Sequence, residues 1–594
     1  DAGVTFADIC YASNPSYTYV PDNNFEQALI DLGYDDTLDD YVPTANISSV
    51  TSLDVNNKEI SDLTGIESFT ALTDLNCGSN QLTSLDVSNN TTLTVLYCQS
   101  NQLTSLDVSA NTALINLYCN QNGLTSLDVS ANTALINLYC YDNQLTSLDV
   151  SSNTALTNLE CGTNQLTALD VSANTALTSL GCYDNQLTSL DVSSNTALTI
   201  LYCYSNQLTA LDVSANTALT SLSCQGNQLT SLDVSANTAL TYLSCHSNQL
   251  TSLDVSVNTA LVTLNCASNN LTSLDVSLNT VLTQLWCSYN DLTSLDVSSN
   301  TLLTRIECES NQLTSLDVSN NTALTILGLN YNQFTTIDVS NNTLLRALAC
   351  YDNELTSLDI SSNTALTLLS VGGNQLTSLD VSNNTSLDDN LSCHDNQLTY
   401  LNMKNGVTDQ LTTFNAMGND LICIETLDPD YATANWTLAN GNIDDGVSFA
   451  DICYASNPDY TYVPDDNFEQ ALIDLGYDTA LDDFVLTANI SGVTQVSLSG
   501  GSGVSDLTGI ESFTSLTWLV VNNNEISSVD LSNNTALVHL GIGGNELTTL
   551  DVSANTALTY LGVEGNSLPS LDISNNTALE TLSSQDNSLS SLDL

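Results

Sequence analysis

The sequence predicts a mainly β solenoid: a parallel sheet of short strands, short second strands on the opposite wall, and small helical caps. Three observations predict it. One 21-residue pattern recurs without a break from Cys77 to Val371, with cysteine at the same place in nearly every copy. Within each copy apolar and polar residues alternate, which is the period of a strand and not of a helix. A longer repeat returns residues 3–70 almost intact as residues 446–514, an offset of 443. A short fixed period marks stacked units that bury their apolar faces only against one another.

The elements follow in order. Residues 1–14 read as the tail of a preceding unit's closing cap, because Phe6–Pro15 returns as Phe449–Pro458. Residues 15–49 form a helical cap: Pro21 to Gly33 suits a short helix, with Asn23 and Glu26 as a capping box and Gly33 as its stop. The first coil needs such a lid, since it otherwise exposes core and sheet edge. Residues 50–420 hold about 18 coils, fifteen at regular steps from 77 to 371 and three more at Val55, Cys393 and Ala416. A closing cap follows at 421–457, a second helical cap at 458–492, and a new set of coils at 493–594. The last residues, Ser591–Leu594, stop in mid-repeat, so the expectation is a slice of a longer tandem array in which neighbouring units of the same chain are partners.

In each coil Leu96 and Cys98 point inward and Tyr97 outward. Leu106-Asp107-Val108 alternates in the same way and predicts a second short strand. Stacked copies lie about 4.8 Å apart.

Written generally, the coil is LTxLxCxxNxLTSLDVSxNTA. This resembles the leucine-rich-repeat family, in the short 21-residue bacterial type called IRREKO, over residues 50–420 and 493–594. The segment Ile60–Ile66 is similar to the internalin type. The resemblance implies that Asn101 and its equivalents turn inward and bond the backbone, because a buried amide must be satisfied. It also implies a secreted bacterial protein displayed at the cell surface, often through the type IX route, that serves adhesion or interaction. Proteins with this repeat often close on a Cys…Trp…Cys tail. Cys423, Trp436 and Cys453 match it, and a Cys423–Cys453 disulfide is predicted to staple the cap. Cys10 is the counterpart of Cys453, so its partner would lie upstream.

The ladder cysteines read as small core fillers. In-register neighbours carry parallel Cβ vectors about 4.8 Å apart, whereas a disulfide needs converging Cβ atoms at about 3.8 Å. A column of soft-metal ligands is the alternative, and Leu329 and Val371 in the same column favour packing.

Composition excludes whole classes of partner. There are 67 acidic residues against 4 basic ones, a formal charge of -63. Phosphate backbones need Lys and Arg, so nucleic acid is excluded, and direct binding to an anionic membrane is disfavoured. No apolar run reaches the 18 or so residues that span a bilayer. No catalytic constellation is present either. The three histidines, His246, His394 and His539, have no nucleophile at a recognisable spacing, which argues against an enzyme.

Two features remain that carry chemistry. One is acidic: the outward Asp column that includes Asp86, Asp107 and Asp128, and the cap cluster Asp35, Asp36, Asp39 and Asp40. Either is a solvated surface accepting bonds from nearby Ser and Thr, or a collector of Ca²⁺, the only cofactor considered. The other is the sheet face, where outward positions vary while core positions barely change. Aromatic residues gather there: Tyr97, Tyr118, Tyr139, Tyr141, Tyr183, Tyr202, Tyr204, Tyr242 and Trp286. Aromatic faces with amides and carboxylates between them suit sugars or protein hot spots, although tyrosine also favours strands for its own sake. Asp36-Thr37-Leu38 and Asp478-Thr479-Ala480 resemble a gram-negative O-glycosylation acceptor, which marks Thr37 and Thr479. The reading is an extracellular adhesin that binds polysaccharide or protein through its sheet face. The alternative is a structural spacer, stalk or filament with no ligand of its own.

Overall fold

The 21-residue period becomes one coil per repeat. The computed structural model describes residues 16–407, 410–454, 456–498 and 500–593. The segment 1–14, with Cys10, lies outside them. Each coil contributes a three-residue strand, as in Val95–Tyr97, Asn116–Tyr118 and Asn137–Tyr139. Each strand pairs in parallel with the next coil, residue for residue: Tyr97 faces Tyr118, and Tyr118 faces Tyr139. This register runs from Ser52–Asp54 to Asn390–Ser392. It is pinned because a one-residue slip would turn Leu96 out and Tyr97 in.

The core is a stack of identical layers. Leu93, Leu96, Cys98, Leu103, Leu106 and Val108 of one coil are all buried, and their equivalents repeat through the array. Burying a side chain of this size stabilises by about 1.5–3 kcal/mol. Among the described residues fourteen cysteines are free and buried. Some thiols reach toward the next coil, as where Cys77 Sγ donates to the Tyr97 carbonyl at 3.3 Å. Burial pushes the Cys77 and Cys119 thiols up to about 12.

Two asparagine columns satisfy the coil backbone. Asn101 Nδ2 donates to the carbonyls of Cys77, Cys98 and Gln99, and its Oδ1 accepts from Leu82 N–H at 2.9 Å. Asn101 therefore bonds the backbone of its own loop, as the family resemblance implied, and in addition joins two coils. The Asn of each NT pair forms a second column that sequence reading did not assign. Asn111, fully buried, donates to the carbonyls of Val87 and Asn90. Just before the first asparagine of each coil the backbone turns through the left-handed region, at φ 55° for Ser100 and 64° for Gly226.

The second wall departs from expectation. Its Leu-Asp-Val segments form regular strands only in places, such as Ser378–Asp380 with Tyr400–Asn402 and Ser570–Asp572 with Ser591–Asp593. Near Asp86, Asp107 and Asp128 only isolated bridges form. Asp107 Oδ1 accepts from Ser109 N–H at 2.9 Å, a local turn that also occurs at Asp380 and Asp572, where strands do form. The same bond recurs at Asp128 and Asp149.

The helical cap also needs a correction. The helix spans Asn23–Asp31, but its cap is Asp22, not an Asn23–Glu26 box. Asp22 Oδ1 accepts from Asn24 and Phe25 N–H, while Oδ2 accepts from Ser61 and Asp62 N–H. One carboxylate thus starts the helix and ties it to the first coil. Glu26 turns inward, and its Oε1 accepts from Asp39 and Tyr41 N–H. Gly33 ends the helix at φ 80°, as predicted.

The chain divides into two compact units. The first holds the helical cap and the coils through Leu376, with Asn383–His394 and Leu411–Thr413. The second holds Thr377–Ser382, Asp395–Gln410 and everything from Phe414 onward. In the second unit Cys423 and Cys453 are joined by a disulfide, with Cα atoms 5.8 Å apart. Trp436 packs against Phe414 beside it, with ring centroids 4.5 Å apart. A second helix, Asp466–Asp474, repeats the first cap, with Asp465 as its N-cap.

Candidate binding face

In-register parallel strands set identical positions side by side, and the strand spacing is close to the stacking distance of aromatic rings. The sheet face uses that coincidence. Tyr97 stacks on Tyr118 at 4.5 Å and Tyr118 on Tyr139 at 4.8 Å, with rings within 17° of parallel. The next residue in this column is Glu160, followed by Gly181 and then Tyr202. In the column beyond the cysteines, Tyr183 stacks on Tyr204 at 4.7 Å.

Glycines shape what lies between. A Cβ on Gly162 would stand 2.5 Å from the Tyr183 ring, and one on Gly181 would collide with the Glu160 carboxylate. The two missing side chains let Tyr183 and Glu160 lie down on the sheet. Burial pushes Glu160 up to about 7, while a bond from Ser179 pulls the other way. Tyr183 is pushed well above the usual phenol range, by burial first and then by the charge of Glu160. Glu160 also acts on Tyr139 and Tyr204. A half-protonated carboxyl at neutral pH, ringed by tyrosines, can donate or accept.

Of the nine predicted aromatic residues, the structure gathers Tyr97, Tyr118, Tyr139, Tyr141, Tyr183 and Tyr204 around this patch. Tyr141 interacts with Tyr139 and Tyr183. Tyr202 is separated from Tyr139 by Glu160 and Gly181, and its hydroxyl lies 3.5 Å from Ser221 Oγ. Tyr242 sits in the first-position column between Ser221 and Thr263.

Trp286 belongs to a second patch. The Arg305 guanidinium lies 5.3 Å from its ring centroid, while Arg305 Nε donates to Glu307 at 2.7 Å. A hollow of about 340 Å³ opens here between His246, Trp286, Tyr289, Glu307, Glu309 and Tyr331. Sequence reading missed Tyr289 and Tyr331, which occupy the left-handed turn position, a place tyrosine rarely takes. The second unit carries a column of its own: Trp518 stacks on His539 at 3.5 Å, and His539 on Tyr560 at 4.2 Å. Aromatic residues at successive 21-residue steps were the available signal. Burial holds His539 below the usual imidazole range.

The acidic features fall into place separately. The Asp column is exposed, and bonds from the following serine hold carboxyls such as Asp107 and Asp128 below the usual range. Thr37 and Thr479 are exposed in the cap loops. Asp35 and Asp39 gather around Glu26, which sequence reading had assigned to the capping box.

No protein-family model matches the chain. Internalin J of Listeria monocytogenes serotype 4b (strain F2365) is 38% identical over 73 residues, 12% of this chain and 8% of that protein. The match thus spans under a tenth of that relative. The solved functional domain of InlJ from Listeria monocytogenes, which includes a cysteine ladder, is 35% identical. That similarity has a TM-score of 0.51 and covers 69% of this chain and 82% of the domain. The Arabidopsis receptor kinase HAESA, solved in complex with the peptide hormone IDA and the co-receptor SERK1, is 19% identical with a TM-score of 0.54. It covers 91% of this chain and 87% of its own, and at that identity shows the fold alone.

Proposed function

The chain belongs to the internalin-like leucine-rich-repeat proteins of bacteria, and on that premise we propose that it is an extracellular adhesion module that binds a protein partner through its sheet face. One observation carries the reading. The stacked tyrosines and Glu160 form a continuous patch at outward positions, where packing of the coil does not require them. Glu160 is held there against its own desolvation, a disposition that makes no contribution to the solenoid core. Rigid aromatic anchors around a few polar groups are what protein hot spots use. The Trp286 hollow supports a second contact point on the same face. Polysaccharide is the competing ligand class, since the same rings would stack on sugars.

Display of the full chain against arrays of extracellular matrix and cell-surface proteins, with a glycan array beside them, tests the reading. Saturable protein binding that is lost in Tyr139→Ala/Tyr183→Ala/Tyr204→Ala supports it. Binding confined to glycans reassigns the ligand class. No binding by a well-folded chain returns the module to the spacer reading.

A further inference from the structure

Glu425 shows how a buried carboxylate in this chain can be compensated. Glu425 is fully buried, and Lys404 Nζ donates to it at 2.9 Å. Tyr400 and Asn457 complete its bonds. Burial pushes Glu425 up, but these bonds and the Lys404 charge outweigh it and hold the carboxyl below its usual range.

Glu469 breaks that pattern. It is also fully buried, in the helix Asp466–Asp474. Its Oε1 accepts from Asp482 and Phe484 N–H at 2.9 and 3.1 Å. Its Oε2 is buried without a partner, and so is Asp478 Oδ2. Oxygens of Glu469, Asp478 and Asp482 lie within 4.8 Å of one another. No cation is at hand, for the chain has no Lys or Arg after Lys404.

The equivalent residues stand 443 positions earlier, although the oxygens of Glu26, Asp35 and Asp39 do not all come within 4.8 Å of one another. Glu26 is fully buried, its Oε1 takes the two backbone N–H groups, and Glu26 Oε2 and Asp35 Oδ2 are again buried without partners. An unpaired buried carboxylate oxygen is expensive, and two copies of the same expense point to something that neutralises it.

We propose that Glu469, Asp478 and Asp482 hold a calcium ion, and that Glu26, Asp35 and Asp39 hold a second one in the first cap. The donor chemistry selects the ion. All the donors are oxygens, which suit hard cations, and no nitrogen or sulfur ligand joins them. Calcium binds oxygens at about 2.3–2.6 Å, so one ion spans oxygens up to roughly 5 Å apart across its centre. Asp482 lies at the exposed rim, where water can complete an irregular shell that magnesium, with its strict octahedron, tolerates poorly. The ion would clamp the loop after each cap helix to the helix itself.

The test uses the full chain, stripped with chelator and titrated with calcium chloride by calorimetry, with magnesium chloride as the control. Two calcium ions should bind at these sites, and the thermal midpoint should rise with calcium and fall again with chelator. Glu469→Gln keeps the Oε1 acceptor and should remove one site. Glu26→Gln/Glu469→Gln should remove both, with a loss beyond the roughly 10- to 100-fold that changes outside a coordination shell cause. Asp478→Asn, which leaves the helix untouched, should reproduce the loss of one site. Calcium uptake unchanged by these substitutions would place the ions on the exposed Asp column and overturn the proposal. A midpoint indifferent to calcium and raised by the Gln variants would show that protons neutralise the cluster, and would overturn it equally.

Discussion

The ring of Tyr183 occupies the space that a Cβ on Gly162 would fill. Gly162 needs no unusual backbone angle, so its lack of a side chain serves its neighbour. Gly162→Ala should lift Tyr183 off the sheet and break its stack on Tyr204, which is worth about 0.5–1.5 kcal/mol. The expected outcome is a small drop in stability, an altered near-UV circular dichroism signal and weaker partner binding. An unchanged spectrum would show that the ring does not depend on the glycine.

Glu160 supplies a pH signature. Its folded pKa of about 7 lies above the ordinary 4.5, so the folded chain holds a proton that the unfolded chain has released. Stability should therefore fall as pH rises between those values and level off above them, with a slope of at most ~1.4 kcal/mol per pH unit. Many carboxylates titrate in the chain, so the measurement is the difference between native protein and Glu160→Gln in denaturant melts from pH 4 to 8. The variant should lack this component. Gly181→Ala, which would push the carboxylate off the sheet, should return Glu160 toward its ordinary value.

The asparagine column bears directly on the coils. Asn206→Ala would strip partners from the carbonyls of Cys182, Cys203 and Tyr204 and from Leu187 N–H. Each buried group left unmade costs ~1–3 kcal/mol, so a loss of at least ~2 kcal/mol is expected in urea melts. Because each coil touches only its neighbours, the transition should also broaden.

Thiol chemistry separates the two kinds of cysteine. The fourteen ladder cysteines are buried, and those whose shift is resolved are pushed far above neutrality, so they should resist alkylation until the chain unfolds. Reduction of Cys423–Cys453 should leave the ladder intact and loosen the closing cap by ~2–4 kcal/mol, seen as protease cleavage between residues 421 and 457. Rapid labelling of ladder cysteines in native protein would contradict the packing described for them.

Much of this architecture was legible because the chain supplies its own comparison. Coil after coil repeats Leu96, Cys98 and Val108, so core and register follow from the period, while the role of the Asn101 column came from the family resemblance. What was not legible depends on side chains reaching across space. Asp22 caps the helix with one oxygen while its second meets Ser61, far away in sequence. Glu26 looked like a capping partner because the spacing fits, yet burial draws it inward. The second wall looked like strand by alternation, and strands form there only in places. The aromatic residues were named correctly as outward, while their grouping around Glu160 depends on Gly162 and Gly181, residues that a search for functional groups passes over.

The central claim is that the tyrosine patch around Glu160 is a protein-binding surface. The most direct measurement is surface-plasmon-resonance binding of the intact chain to the protein ligand identified on the arrays, compared with Tyr139→Ala/Tyr183→Ala/Tyr204→Ala and with a control triple at the exposed Asp107, Asp128 and Asp149. The account predicts that the tyrosine triple weakens binding by on the order of 100-fold, equivalent to ~2.7 kcal/mol, while losing only the small stability of the ring stacks and keeping its fold, and that the Asp triple retains affinity. Equal affinity of the tyrosine triple and the native chain would contradict it.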